Sequence, residues 1–197
     1  MLRPASTAFP APVLLWTDAT KDSFHAGQPA VFPYLPRAAQ NTGGAVLIVP
    51  VVSSPDGTPD RDGQELARWL NANGVAGFVL RYDPSLQSKD AVNVISDVNR
   101  GMQYLRAHAT EFNISPGRIG LLGMARGAAM VAETAYNFSL TAKPDATDPV
   151  DRVSSRPDFM ALIWGSVPPG ANAAIPPATF LVGSSSTADG QSGSGTV

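Results

Sequence analysis

Short apolar runs alternate with helix-patterned stretches along this chain, and that alternation restricts its fold more than any other feature. The runs fall at residues 45–49 (AVLIV), 75–80 (VAGFVL), 119–122 (IGLL), 159–164 (FMALIW) and 179–182 (TFLV). Each is short, free of charge and rich in aliphatic residues, the pattern of a strand buried on both faces. Between two of them Ile95, Val98, Met102, Leu105, Ala109 and Phe112 recur at spacings of three and four, which marks a long amphipathic helix. Leu66, Trp69 and Leu70 mark another, opened by Asp62 with Glu65 as a capping box and ended at Gly74. Residues 127–138 form an Ala-rich helix. Two further runs lie at 13–16 and 30–35, and Pro33 makes the second an edge strand. Strands joined through helices imply right-handed βαβ units and a mostly parallel, three-layer α/β sheet. Ligands of such sheets bind at the carboxyl ends of the strands, here residues 50–54, 123–127 and those after 182.

At 197 residues the chain fits one domain, which we place at 1–183, with the Ser/Gly-rich stretch 184–197 as a flexible tail. The net charge of −2 carries no basic block, so nucleic acid is not an expected partner. Without Cys there is no disulfide, thiol nucleophile or thiolate metal site. His25 and His108 have no ligand spacing around them, so no metal and no cofactor are expected. Asp56, Asp60 and Asp62 lack the closing Glu of a calcium loop and read as a solvated loop and helix cap. No apolar run reaches the ~20 residues of a membrane span, and no signal peptide is visible. The compartment stays open. Arg152 is expected to tie the polar loop 141–157 through Asp151 and Asp158. Trp16 and Trp69 are expected in or near the core, whereas Trp164 ends a strand on the ligand side, where an aromatic ring can stack on a sugar.

The stretch LLGMARGAAM, residues 121–130, carries the sharpest question. An apolar strand runs into Gly123-Met124-Ala125-Arg126-Gly127 and then into a helix of small residues. That is the outline of the Gly-x-Ser-x-Gly nucleophile turn of serine hydrolases. Its central position is Ala125, whose methyl group has no lone pair to attack a carbonyl.

Several segments together resemble a known family: GVAGFVLRY (74–82), NISPGRIGLLG (113–123), DRVSSRPDFMALI (151–163) and PPATFLV (176–182). In order and spacing they are similar to the acetyl esterase/lipase-like α/β-hydrolases, nearest to the bacterial enzymes related to acetylxylan and feruloyl esterases. The resemblance implies a Ser-Asp-His triad with an oxyanion hole for acyl esters, often acetyl groups on polysaccharides. Against that pattern, Ala125 replaces the nucleophile. The family's Gly-rich oxyanion loop is matched by Pro50-Val51-Val52-Ser53, and β-branched residues resist the backbone conformations that glycines allow there. The acid position falls near Ser186 or Thr187, with Asp189 as the substitute. No His follows His108, which sits off the apolar stripe of its helix and is expected on the solvent side.

The resemblance also implies a last strand and helices beyond residue 182. Their absence would leave an apolar edge for a protein partner, or a further covalent segment, to cover. The sequence thus points to a catalytically inactive, esterase-like homologue acting as a structural or interaction subunit. An acetyl-esterase-type carboxylic-ester hydrolase, in an incomplete or inactivated chain, is the first alternative. A carbohydrate-binding module at the old cleft is the second. The candidate binding residues are Val51, Val52, Ser53, Arg126 and Trp164.

Overall fold

The computed structural model describes residues 9–16, 28–51, 59–82, 91–136, 138, 143–165 and 177–183. Its strands are β1 (Val13–Leu14), β2 (Ala30–Tyr34), β3 (Ala45–Val49), β4 (Ala76–Arg81), β5 (Ile119–Met124), β6 (Phe159–Ile163) and β7 (Ala178–Val182). They form one sheet in the order β1-β2-β4-β3-β5-β6-β7. β2 is antiparallel to both neighbours, and the pairs from β4 through β7 are parallel. The helices are α1 (Arg61–Ala72), α2 (Ala91–Ala107) and α3 (Arg126–Tyr136).

Side-chain alternation along the strands separates two cores. On β3, Ala45, Leu47 and Val49 join Met102 and Leu105 of α2 and Val131 of α3. Val46 and Ile48 point the other way, toward Ala67 and Leu70 of α1. This period of two is what a strand covered on both faces requires. Toward β6 the cover thins: Met160 and Leu162 are buried on the α2/α3 side, but Phe159, Ala161 and Ile163 are only half-buried. Every residue of β7 is exposed.

The expected strands and helices are present, with local corrections. The cap of α1 is Asp60, whose carboxylate accepts from the Gly63 amide at 2.9 Å, and Glu65 pairs with Arg61 instead. Gly74 does end that segment with φ +77°. β2 lies one strand in from the edge, yet β1 pairs only with Ala30 and Val31. Pro33 therefore stands where β1 does not reach, and its missing N–H costs no bond to β1.

The loop between α3 and β6 is pinned from α2 rather than by its own charges. Asp151 pairs with Arg100, and Asp158 pairs with Arg106. Arg152 donates to the Ala146 carbonyl. Trp16 and Trp69 are exposed, not core.

Candidate functional site

β3 and β5 lie side by side at the centre of the sheet, with Val49 opposite Gly123. At the end of β5 the chain turns sharply into α3. Ala125 stands at the apex with φ +47°, a left-handed conformation that favours glycine and costs other residues roughly 1–2 kcal/mol. Its N–H donates to the Ile163 carbonyl at 2.8 Å, and its carbonyl accepts from the Ala128 amide at 3.0 Å. Two glycines permit the turn. A Cβ on Gly123 would lie 2.4 Å from the Gly127 carbonyl oxygen, and one on Gly127 would lie 2.3 Å from that of Val49. Helix and strand therefore touch through backbone alone.

The same sheet edge gathers other sequence-derived candidates. Val51 follows β3 and is half-buried, while Arg126 opens α3 and is exposed. Trp164 follows β6 and is 67% exposed, again at positive φ, +55°. Its N–H bonds to the Val182 carbonyl at the end of β7. Val51, Ala125 and Trp164 thus stand at the carboxyl ends of three adjacent strands. Val52, Ser53, His25 and Asp189 lie outside the described residues.

Sequence reasoning overlooked Tyr82. It follows β4 and is completely buried, and its hydroxyl sits 3.3 Å from the carbonyl oxygens of both Pro50 and Val51. Burial pushes its phenol up to about 12, against a weaker downward pull from Arg126 and with a small upward push from Asp60. Tyr82 therefore stays a protonated donor, and the loop after β3 presents carbonyl acceptors to it. The polar pair Arg81-Tyr82 closing an apolar run was the available signal.

His108 lies elsewhere. α2 carries the chain back from the carboxyl end of β4 to the amino end of β5, so His108, just past α2, is at the opposite end of the sheet from Ala125. It is half-buried rather than solvent-side, stacked on Tyr104 at 4.0 Å with Nδ1 3.0 Å from the Tyr104 carbonyl oxygen. Among the described residues no three His, Cys, Asp or Glu side chains cluster as metal ligands. No helix among them is long and apolar enough to cross a membrane.

No family model matches the chain. An acetylxylan esterase of Xylanibacter ruminicola is 33% identical over 66 residues, which are 34% of this chain and 13% of that protein. An acetyl ester-xyloside bifunctional hydrolase from Caldicellulosiruptor lactoaceticus superposes with a TM-score of 0.60 at 25% identity, over 80% of this chain and 58% of that one. The fold is that of the esterase-type α/β-hydrolases. A propionate-bound esterase of Thermogutta terrifontis shares the fold with a TM-score of 0.60 at 17% identity, over 82% of this chain and 57% of its own. The chain thus spans little more than half the length of these hydrolase structures and about an eighth of the curated relative. Within the hydrolase fold, the family resemblance read from the segments around Tyr82, Gly123 and Phe159 holds.

Proposed function

We propose that this chain is an esterase-like α/β-hydrolase homologue without acyl-transfer activity of its own, serving as a structural or interaction subunit. One observation carries the reading. The elbow backbone is built in full, with its positive φ and its glycine contacts, and its apex side chain is the methyl of Ala125. A nucleophilic oxygen is required at that point for a covalent acyl intermediate. The loop after β3 supports the reading, because the carbonyls of Pro50 and Val51 face the Tyr82 donor, whereas an oxyanion needs converging N–H groups. The interaction role draws on β7, where Phe180 and Leu181 are exposed on an outer strand. A protein partner or a further chain segment would cover that edge.

The purified chain is expected to hydrolyse p-nitrophenyl acetate no faster than heat-killed protein and to take no label from a fluorophosphonate probe. A covalent adduct on any of its side chains would overturn the proposal and favour an active carboxylic-ester hydrolase.

A second reading rests on Trp164. A large aromatic held exposed at positive φ beside the elbow stores strain that simple packing does not require. A carbohydrate bound in the cleft without being cleaved would use that ring as a stacking surface. Xylo-oligosaccharide titration reads it out: saturable binding that is lost in Trp164→Ala supports this reading, and no binding up to millimolar concentration removes it.

A further inference from the structure

A concavity lies at the far end of the sheet from Ala125. Tyr34, the last residue of β2, pairs with Gly77 near the start of β4, which places it at the amino end of the parallel strands. There the end of β2 and the second half of α1 flank a shallow, open groove of about 400 Å³. Its apolar wall is made by Phe9, Pro33 and Leu35, with Phe9 and Leu35 conspicuously exposed for large side chains. Its polar wall is made by Arg68 and Asn71, three residues apart and hence on one face of α1.

The polar groups here are unspent. Arg68 has no acidic partner and no hydrogen bond among the described residues, while its neighbour Arg61 takes the nearby Glu65. The Asn71 carboxamide likewise has no side-chain partner. Beside them the Tyr34 hydroxyl is buried with no hydrogen-bond partner. A guanidinium and an amide donor facing an apolar, ring-lined wall match a molecule that is anionic at one end and apolar at the other. The volume lies within the range of small-molecule sites.

We infer that this groove binds a small amphipathic carboxylate, with the carboxylate on Arg68 and Asn71 and an aromatic or alkyl body along Phe9, Pro33 and Leu35. Arg is suited to the anionic end because its planar fork takes both carboxylate oxygens at once. The packing of the body on Phe9 and proline rings favours a flat substituent over a bare chain. The site is separate from the elbow and does not depend on whether the elbow is catalytic.

Calorimetric titration of the whole chain with 3-phenylpropionate, its neutral amide and propionate separates the two ends of the ligand. Saturable binding of 3-phenylpropionate is expected, with both comparison compounds about tenfold weaker or worse, because each lacks one of the two contacts. Arg68→Gln is expected to lower the affinity about tenfold at unchanged melting temperature, since Arg68 is exposed and supports no other contact. Leu35→Asp, on the opposite wall, is expected to abolish binding. Equal binding of the acid and its amide, unchanged affinity in Arg68→Gln, or no saturation by 3-phenylpropionate would each overturn the inference.

Discussion

Gly127→Val is expected to destabilise the protein by about 3 kcal/mol or more, lowering its urea midpoint by roughly 1–2 M. The reason is geometric. The new Cβ would stand 2.3 Å from the Val49 carbonyl oxygen and 2.8 Å from that of Pro50. Both atoms belong to the backbone at the end of a central strand, so no side-chain rotation relieves the clash. Either α3 lifts from β3 or β3 bends, and both open the core around Val49, Ala128 and Val131. Gly117→Val is the control: a Cβ there meets nothing within 4 Å, and its effect should stay within about 0.5 kcal/mol. Urea melts of the two variants check the difference. Equal midpoints would show that α3 does not pack on β3 through backbone at the elbow.

This result would also separate two meanings of a motif. Gly-x-x-x-Gly at the strand–helix corner is usually read as a sign of chemistry. Here the glycines serve contact between β3, β5 and α3 whether or not the apex bears a hydroxyl. Both glycines are obligatory for packing whatever side chain stands at residue 125, because no side chain at the apex relieves the backbone contacts they allow. Ala125 shows the two apart: the turn takes its left-handed φ of +47° with a methyl group at the apex.

The architecture was legible wherever burial on both faces forces a pattern. The run AVLIV became β3 with unchanged bounds, and Val98, Met102 and Leu105 of the expected stripe are buried on α2. The buried side starts at Val94 rather than the half-buried Ile95, however, and Ala109 and Phe112 lie past the helix end. Legibility failed where several local solutions compete. The stretch Asp60-Arg61-Asp62 offers two carboxylates to one helix end, and only the fold shows that Asp60 takes the Gly63 amide. It failed also for the tryptophans, because apolarity predicts burial only if a partner surface is present, and Trp69 faces away from the sheet that α1 covers. Of the site, Ala125, Arg126 and Trp164 were placed at the right sheet edge by counting strands alone. Tyr82 and the groove at Arg68 were not, since each depends on segments 31 to 33 or more residues away in sequence.

The same limit hid a polar assembly centred on Arg100, and Arg100→Met is expected to cost about 3 kcal/mol by breaking it. Arg100 is on α2 and only 3% exposed. Its Nε donates to the Leu15 carbonyl at 2.8 Å, Nη1 pairs with Asp151 at 3.0 Å, and Nη2 pairs with Asp148. Its guanidinium also lies over the Trp16 ring, whose Nε1 donates to Asp97 on the same helix. One side chain thus joins the end of β1, α2 and the loop before β6. Methionine would fill much of the volume but leave the Leu15 carbonyl and two carboxylates without their donor. Both carboxylates keep partial contact with water, which holds the cost to the low end of what breaking a buried pair brings. Lysine should rescue little, because a single ammonium cannot reach three acceptors in a plane. The hydrogen bond from Arg100 holds the Asp148 carboxyl below its ordinary value. A depressed carboxylate contributes stability above its unfolded pKa of about 3.9 and loses it as pH falls through the lower folded value. Thermal melts from pH 7 to pH 2.5 should therefore show the parent protein losing stability below about pH 4 more steeply than Arg100→Met. Parallel curves for the two would show that Asp148 draws nothing from Arg100, and the clamp would then be a contact of shape alone.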